Sequence, residues 1–416
     1  MMKQTAAIIL ILSFIFVSSC TNENEVITVT VENLSVEIDE FPINNQLIGQ
    51  IMASTNHGSL SFSIVSQTPD DALTIDAASG ELRVLNKDRY NYELVQEIVG
   101  TVEVSNEDVV EYVEITIHVN DVMRIYDGDL MIDTQTKLES VGQQYYDKIN
   151  GSVWITGENV NSVNSLSSIK FIDGNLLILA TNLENLDGLE KADIADGEVV
   201  QIAQNEKLKN LDGLSGISAN LVNLEIENNP ALQSISGLQH IKSVSDAITI
   251  SDTDSLDNLN GLSGINSPVK MLTIRSNSAL ENIDGLQSFS EIERLYFSEN
   301  KLVTSLSGFN GLKSLDYLWI SQNDALTDLK GLVQLETCKE LTISSNASLR
   351  NLDDLQKLMR VNDGSLRIIE NSSLSDFCGL SLIASLSEVG FNIRDNYYNP
   401  TKEDINNGDC SITFEP

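Results

Sequence analysis

The chain has 416 residues, of which 25 are Lys or Arg and 61 are Asp or Glu, a formal net charge of −36. That length suits two or three domains, and so acidic a surface repels phosphates, which excludes nucleic acid as the expected partner. With 41% hydrophobic residues the chain has enough apolar material for a core. In chain order, the start reads as an export signal. Lys3 is positive, Ala6–Val17 is an apolar run, and Ser18 and Ser19 are small residues before Cys20. The run is too short for a stable membrane span, and no later segment is apolar enough for one.

Val17-Ser18-Ser19-Cys20 resembles the bacterial lipobox. The resemblance implies that residues 1–19 are a lipoprotein signal peptide and that Cys20 is lipidated and becomes the N-terminus. Several acyl chains on one Cys meet the condition for stable anchoring. The alternative is a Cys beside an ordinary cleavage site. Residues 20–26 follow as a polar tether, in which Asn22, Glu23, Asn24 and Glu25 cannot pack a core. Acidic residues just after the Cys are similar to the surface-export signals of some Bacteroidota lipoproteins. The expectation is a lipid-anchored outer-membrane protein on the cell surface, with the periplasmic face as the other placement.

Residues 27–121 read as a separate all-β domain. Apolar residues alternate in Ile27-Val29-Val31, Leu60-Phe62-Ile64 and Val113-Ile115-Ile117-Val119. Asp76–Gly80 forms a hairpin turn between two such runs, and about seven short strands in this length predict a sandwich. The landmarks EIDEFP (Glu37–Pro42), LTIDAASGELRV (Leu73–Val84), YNYE (Tyr90–Glu93), VEVSNED (Val102–Asp108) and ITIHVND (Ile115–Asp121) resemble a cadherin repeat in their order. Cadherin repeats bind calcium with carboxylate and carbonyl oxygens. The resemblance carries Glu40, Glu93, Asn120 and Asp121 onto ligand positions. Asn91, Asn106 and His118 depart from it, each with one charge fewer than the Asp expected there. Affinity falls as ligand charge falls, so two readings stand: a weak calcium site, and a calcium-free spacer.

Residues 122–150 read as a junction and N-terminal cap, with a helix at Thr134–Gln144 that has Thr134 as N-cap and Leu138 and Val141 on one face. From 151 to 410 one frame recurs, as in LVNLEIENNPALQSISGL (Leu221–Leu238) and MLTIRSNSALENIDGL (Met271–Leu286). Its inner apolar slot falls at Ile155, Ile178, Ile202, Ile226, Ile250, Ile274, Phe297, Ile320, Ile343, Ile368 and Ile393, at gaps of 23 to 25 residues. A fixed period of this size predicts a solenoid of about eleven coils, each contributing one short parallel strand. Three residues after the slot stands Asn, at 205, 229, 277, 300, 323, 346, 371 and 396, where a buried amide can bond backbone groups that the turn leaves unpaired. Thr181 and Thr253 are expected to break that ladder. Gly precedes Leu at a tight bend, as at Gly237, and Asp354 departs from this, which predicts a looser corner. Asn399 as N-cap, Pro400 at the first helical position and Gly408 predict a C-terminal cap helix.

This frame, with the stretch Asp129–Ile178 before it, resembles the leucine-rich-repeat relatives called receptor L domains, from about Asp127 to Cys410. The resemblance implies a parallel-β solenoid with helical caps and a binding role. The whole chain thus reads as mainly β, a cadherin-like sandwich followed by a receptor L-domain-like or leucine-rich-repeat-like solenoid.

Cys378 and Cys410 flank the cap, and an exported chain meets oxidising conditions, so a bridge between them is expected, with two buried thiols as the alternative. Cys338 reads as a buried apolar filler. His57, His118 and His240 lie far apart, no nucleophile stands at an interpretable spacing from a base, and no catalytic motif is present, so the chain is not expected to be an enzyme. Residues flanking the inner slot face outward. Arg294, Tyr296, Tyr317, Trp319 and Glu340 therefore form an aromatic patch with a charged rim. Cross-strand stacking that merely stabilises the ladder is the other reading. Two functions follow, with a purely structural envelope protein as a third reading. One is a surface adhesion or recognition lipoprotein that binds an extracellular protein or a glycan. The alternative is an accessory glycan-binding or glycan-processing component of a polysaccharide uptake system.

Overall fold

The structure is a computed structural model that describes residues 26–106, 109–266, 268–361, 365–386 and 390–413. Cys20 and the signal segment lie outside the described residues. The chain divides into two compact units, Met1–Val122 and Met123–Pro416.

The first unit is built from strands that share one core. A four-stranded sheet runs in the order Leu34–Asp39, Val109–Asn120, Glu97–Asn106, Ser61–Thr68, with the first pair parallel and the others antiparallel. An antiparallel three-stranded sheet places Glu81–Val84 between Leu47–Gln50 and Leu73–Ile75. Alternation decides which side chains go in: Val113, Ile115, Ile117 and Val119 are all buried against Ile98, Val102 and Val104. Tyr90 is fully buried, and its hydroxyl donates to Ala72 O at 3.1 Å, so its one polar atom is satisfied. Burial holds its phenol well above the ordinary tyrosine range. The Asp76 turn forms because one carboxylate oxygen accepts from the N–H groups of Ala78 and Ser79, at 3.0 and 2.8 Å. Those donors hold its carboxyl below the usual range.

The second unit is dominated by a 13-stranded parallel sheet. All its strands but Arg360–Val361 follow one another in chain order, from Leu130–Ile132 to Gly390–Arg394. Leu130–Ile132 pairs in parallel with Val153–Thr156. The sheet therefore opens one repeat earlier than the first inner slot read in the sequence. The stretch 122–150, read as junction and cap, also holds strands of a second sheet. Ile125–Asp127, Lys148–Asn150, Phe171–Ile172 and Asp193–Ile194 pair in parallel. From Asn220–Glu227 onward longer strands such as Ser243–Ser251 form instead, with a register shift between Leu221 and Asn223. The inner-slot residues from Ile155 to Ile368 are fully buried, and each contributes about 1.5–3 kcal/mol by leaving water. Ile393 on the last strand is only half-buried. The helix Gln135–Gly142 starts at Thr134, whose hydroxyl accepts from Lys137 N–H at 3.3 Å.

Each strand ends in a corner that the sequence pattern does not announce. The residue before each ladder position adopts the left-handed region, among them Gln204 (φ 60°), Ser276 (φ 54°), Glu299 (φ 59°) and Gln322 (φ 57°). This conformation costs non-glycine residues about 1–2 kcal/mol each. The asparagine that follows offsets it. Asn205 Nδ2 donates to Ala203 O across the corner and to Ile178 O of the preceding repeat, both at 3.0 Å. Its backbone N–H and amide donate to Asn229 Oδ1 at 3.0 and 3.1 Å, so one repeat is tied to the next. Asn277, Asn300, Asn323, Asn346, Asn371 and Asn396 form a second relay of the same kind, which ends on Asn399.

Three expectations change. Thr181 opens the ladder rather than breaking it, donating through its hydroxyl and N–H to Asn205, whereas Thr253 divides it as expected: the first relay ends at Asn229 and a second begins at Thr253, whose hydroxyl and N–H donate to Asn277. A threonine suits that place because it donates forward and needs no second donor. Asn399 is the end of the relay, not a helix cap. The N-cap of helix Lys402–Asn407 is Thr401, in a capping box with Asp404, and Pro400 precedes it. Lastly, the Asp354 corner keeps its 3-10 turn, Asp353–Leu355. At Gly237 a Cβ would meet Leu211 O at 1.9 Å, which explains glycine there. Before Asp354 the chain turns through Gly331 (φ 111°) instead, and Asp354 Oδ2 accepts from Leu329 N–H at 3.1 Å. Burial holds the Asp354 carboxyl above the ordinary range.

Candidate functional site

The strand Ile292–Ser298 buries Ile292, Leu295 and Phe297, so Arg294, Tyr296 and Ser298 take the outward side. Ser314–Ser321 pairs with it in register. Tyr296 lies opposite Trp319, and Arg294 opposite Tyr317. Thr337–Ser344 continues the row with Glu340 opposite Tyr317 and Thr342 opposite Trp319. Trp319 is 46% exposed, and Tyr296 and Tyr317 are half-buried.

The five residues form two rows of one face. In the first, the Arg294 guanidinium lies 5.3 Å from the centre of the Tyr317 ring, with Glu340 beside it. In the second, Tyr296 and Trp319 line a groove of about 520 Å³ together with Thr273, Arg275, Ser298, Glu299, Ser321, Gln322, Ser344 and Ser345. Trp319 Nε1–H donates to Ser321 Oγ at 2.7 Å, which fixes the ring over its own strand. Arg275 Nε is 3.3 Å from Glu299 Oε1, and Ser276 Oγ donates to Glu299 Oε2 at 3.2 Å, so the charges in the groove are paired. The groove therefore offers ring surface and hydroxyls with no unbalanced charge between Arg275 and Glu299.

Arg275, Glu299, Gln322 and Ser345 were not singled out from the sequence. Three of them occupy left-handed corner positions. The signal that could have found them is their place one residue before each ladder asparagine. A larger concavity of about 810 Å³ includes Ser243, Pro268, Lys270, Lys313 and Asp316. Its lining has no aromatic ring, and Lys270 and Asp316 are ion-paired with Asp246 and Lys339 at 2.9 and 2.7 Å.

Glu40, Asn120 and Asp121 come together at one end of the first unit, where Glu40 N–H donates to Asn120 O at 3.1 Å. Glu40 is 9% exposed, and its two oxygens accept from Tyr92 N–H and Val122 N–H at 3.0 and 3.3 Å. The Asn120 amide donates to Asp39 at 3.3 Å. Asn91 Oδ1 accepts from Glu93 N–H at 2.9 Å, and Asn106 donates to Thr55 Oγ1 at 2.7 Å and to His57 O. Among the described residues no group of three or more His, Cys, Asp or Glu gathers that could hold a metal ion. At Glu40 both carboxylate oxygens are thus engaged with backbone N–H groups.

Cys378 and Cys410 are joined, with Cα atoms 4.9 Å apart. Phe377 N–H donates to Cys410 O at 2.8 Å, so the bridge and the backbone fasten the same segment. Cys338 is buried, its thiol is pushed up to about 12 by burial, and its S–H donates to Glu340 O at 2.9 Å.

No family model and no curated protein matches the chain. Among solved structures it is similar to cadherin extracellular domains. It is 17% identical to the protocadherin GammaB4 extracellular domain, covering 26% of this chain and 20% of that one at a TM-score of 0.21. For the protocadherin gammaB7 EC3-6 cis-dimer the values are 12%, 24%, 30% and 0.21. For human protocadherin-24 EC1-2 they are 14%, 24%, 50% and 0.20. The chain thus spans between 20% and 50% of the length of these structures.

Proposed function

We propose that the chain is an extracellular recognition protein held at an outer membrane by lipid on Cys20. In this reading the cadherin-like first unit is a spacer. The second unit is a receptor L-domain-like or leucine-rich-repeat-like solenoid that presents its outward sheet face to a ligand, a binding role and not a catalytic one. The observation that carries it is the Tyr296–Trp319 groove. A tryptophan 46% exposed, fixed by its own N–H and set beside a second ring, is the kind of preorganised anchor that dominates binding surfaces. The periodic strands hold these residues in register, which limits the entropy lost on binding.

The test has two arms. Cys20→Ala should move the protein from the membrane fraction to the soluble one or stall its processing; full retention in the membrane places the anchor elsewhere. Binding of the full chain to whole cells, and to their extracellular protein and polymer fractions, should fall at least tenfold in Trp319→Ala. Binding equal to wild type removes the sheet face as the recognition surface.

A further inference from the structure

If the outward face is the binding surface, the groove itself narrows the ligand. Its lining sets two aromatic rings among hydroxyl carriers, with Thr273, Ser298, Ser321 and Ser344 on the neighbouring strands. A hydroxyl both donates and accepts, so a row of them suits a partner whose own polar groups are hydroxyls. The indole N–H is already spent on Ser321 Oγ at 2.7 Å, which leaves exposed ring surface as what Trp319 offers. Charge argues against an anionic ligand. Arg275 and Glu299 satisfy each other at 3.3 Å, and a chain of net charge −36 repels anions. A protein partner would need a desolvated apolar centre, and this groove has only two rings set among polar groups.

We propose that the groove takes a neutral carbohydrate chain, with the apolar C–H face of one sugar ring on Trp319 and sugar hydroxyls on Thr273, Ser298 and Gln322. A chain lying across the strands meets one strand about every 4.8 Å, so neighbouring sugars can reach the outward positions of successive strands.

The chain has two tryptophans. Trp154 occupies the same outward column, paired with Leu177 and Met131, and is not part of the groove. The full-length Trp154→Phe protein therefore has Trp319 as its sole indole reporter. It is titrated with soluble xylan, mannan, starch and mixed-linkage β-glucan, with polygalacturonate as the anionic control. The expected result is a saturable change in Trp319 emission with at least one neutral polymer and none with polygalacturonate. In affinity gels with that polymer, Trp319→Ala should bind at least tenfold more weakly and Trp319→Phe should retain part of the binding. Gln322→Ala, several-fold weaker, serves where Trp319→Ala fails to fold. No response to any neutral polymer, equal binding of polygalacturonate, or wild-type binding by a folded Trp319→Ala overturns the proposal. Loss of whole-cell binding in Trp319→Ala without any polymer response overturns the carbohydrate and leaves the face as the binding surface. Unchanged whole-cell binding in that variant removes both.

Discussion

Both units bury asparagine, but they use it differently. In the first, Asn91 and Asn106 are 3% and 2% exposed, and each braces its own neighbourhood, Glu93 N–H in one case and the Thr55–His57 turn in the other. In the second, each ladder asparagine from Asn205 to Asn371 is fully buried, and its oxygen receives the previous repeat while its amide holds strand ends before it. The same side chain is thus a local bracket in one place and a link in the other. The difference comes from the period: equal repeats put like residues in register, so one amide can serve three corners. Damage to a bracket should stay local, and damage to a link should spread.

Asn300→Ala should show the largest effect. It strips the acceptor from Asn277 N–H and Nδ2 and the donor from Ile274 O and Ser298 O. At about 1–3 kcal/mol per buried group left unpaired, the loss should be roughly 4 kcal/mol or more. Urea unfolding measures it, and amide exchange should quicken in the repeats on both sides; a cost confined to one corner would break the comparison. Cys378→Ser should come next, at about 3–4 kcal/mol for the loop that the bridge closes. The change should loosen the 410–412 segment, and wild-type exchange there would show that the bridge does not hold the cap.

Asn106→Ala should cost about 2 kcal/mol, with exchange changes limited to the first unit. A cost equal to that of Asn300→Ala would mean that burial alone, not the relay, sets the value of these amides. Asp354→Asn should have the smallest effect and the opposite sign. Asn can still accept from Leu329 N–H at a corner where burial disfavours the charge. A carboxyl raised in the folded state favours folding most at low pH and loses that contribution as pH rises through its folded pKa. The variant should therefore melt above wild type at pH 7, and the gain should vanish below the ordinary carboxylate range. A gain that persists at pH 3 would not be electrostatic.

The repeat period, the buried inner slots, the asparagine column and the outward placement of Tyr296 and Trp319 were legible in the sequence, because strand alternation and register follow from residue spacing alone. The alternating strands of the first unit were legible too, but the fate of the oxygens that the resemblance offers to a cation was not. Glu40 is the right residue type for a cation, yet its oxygens accept backbone N–H groups brought from Tyr92 and Val122. The left-handed corners were hidden for a related reason. They are occupied by Ala, Gln, Asn, Asp, Ser and Glu, most of which have no preference for that conformation, and what holds them is the asparagine that follows, bonded across repeats. Those corners bring Glu299 and Gln322 to the groove, and the repeat stacking sets Arg275 against Glu299. Sequence spacing determined which residues face out. Only the stacking of one repeat on the next decided which of them meet, because hydrogen-bond partners about 24 residues apart become neighbours once the strands are laid side by side.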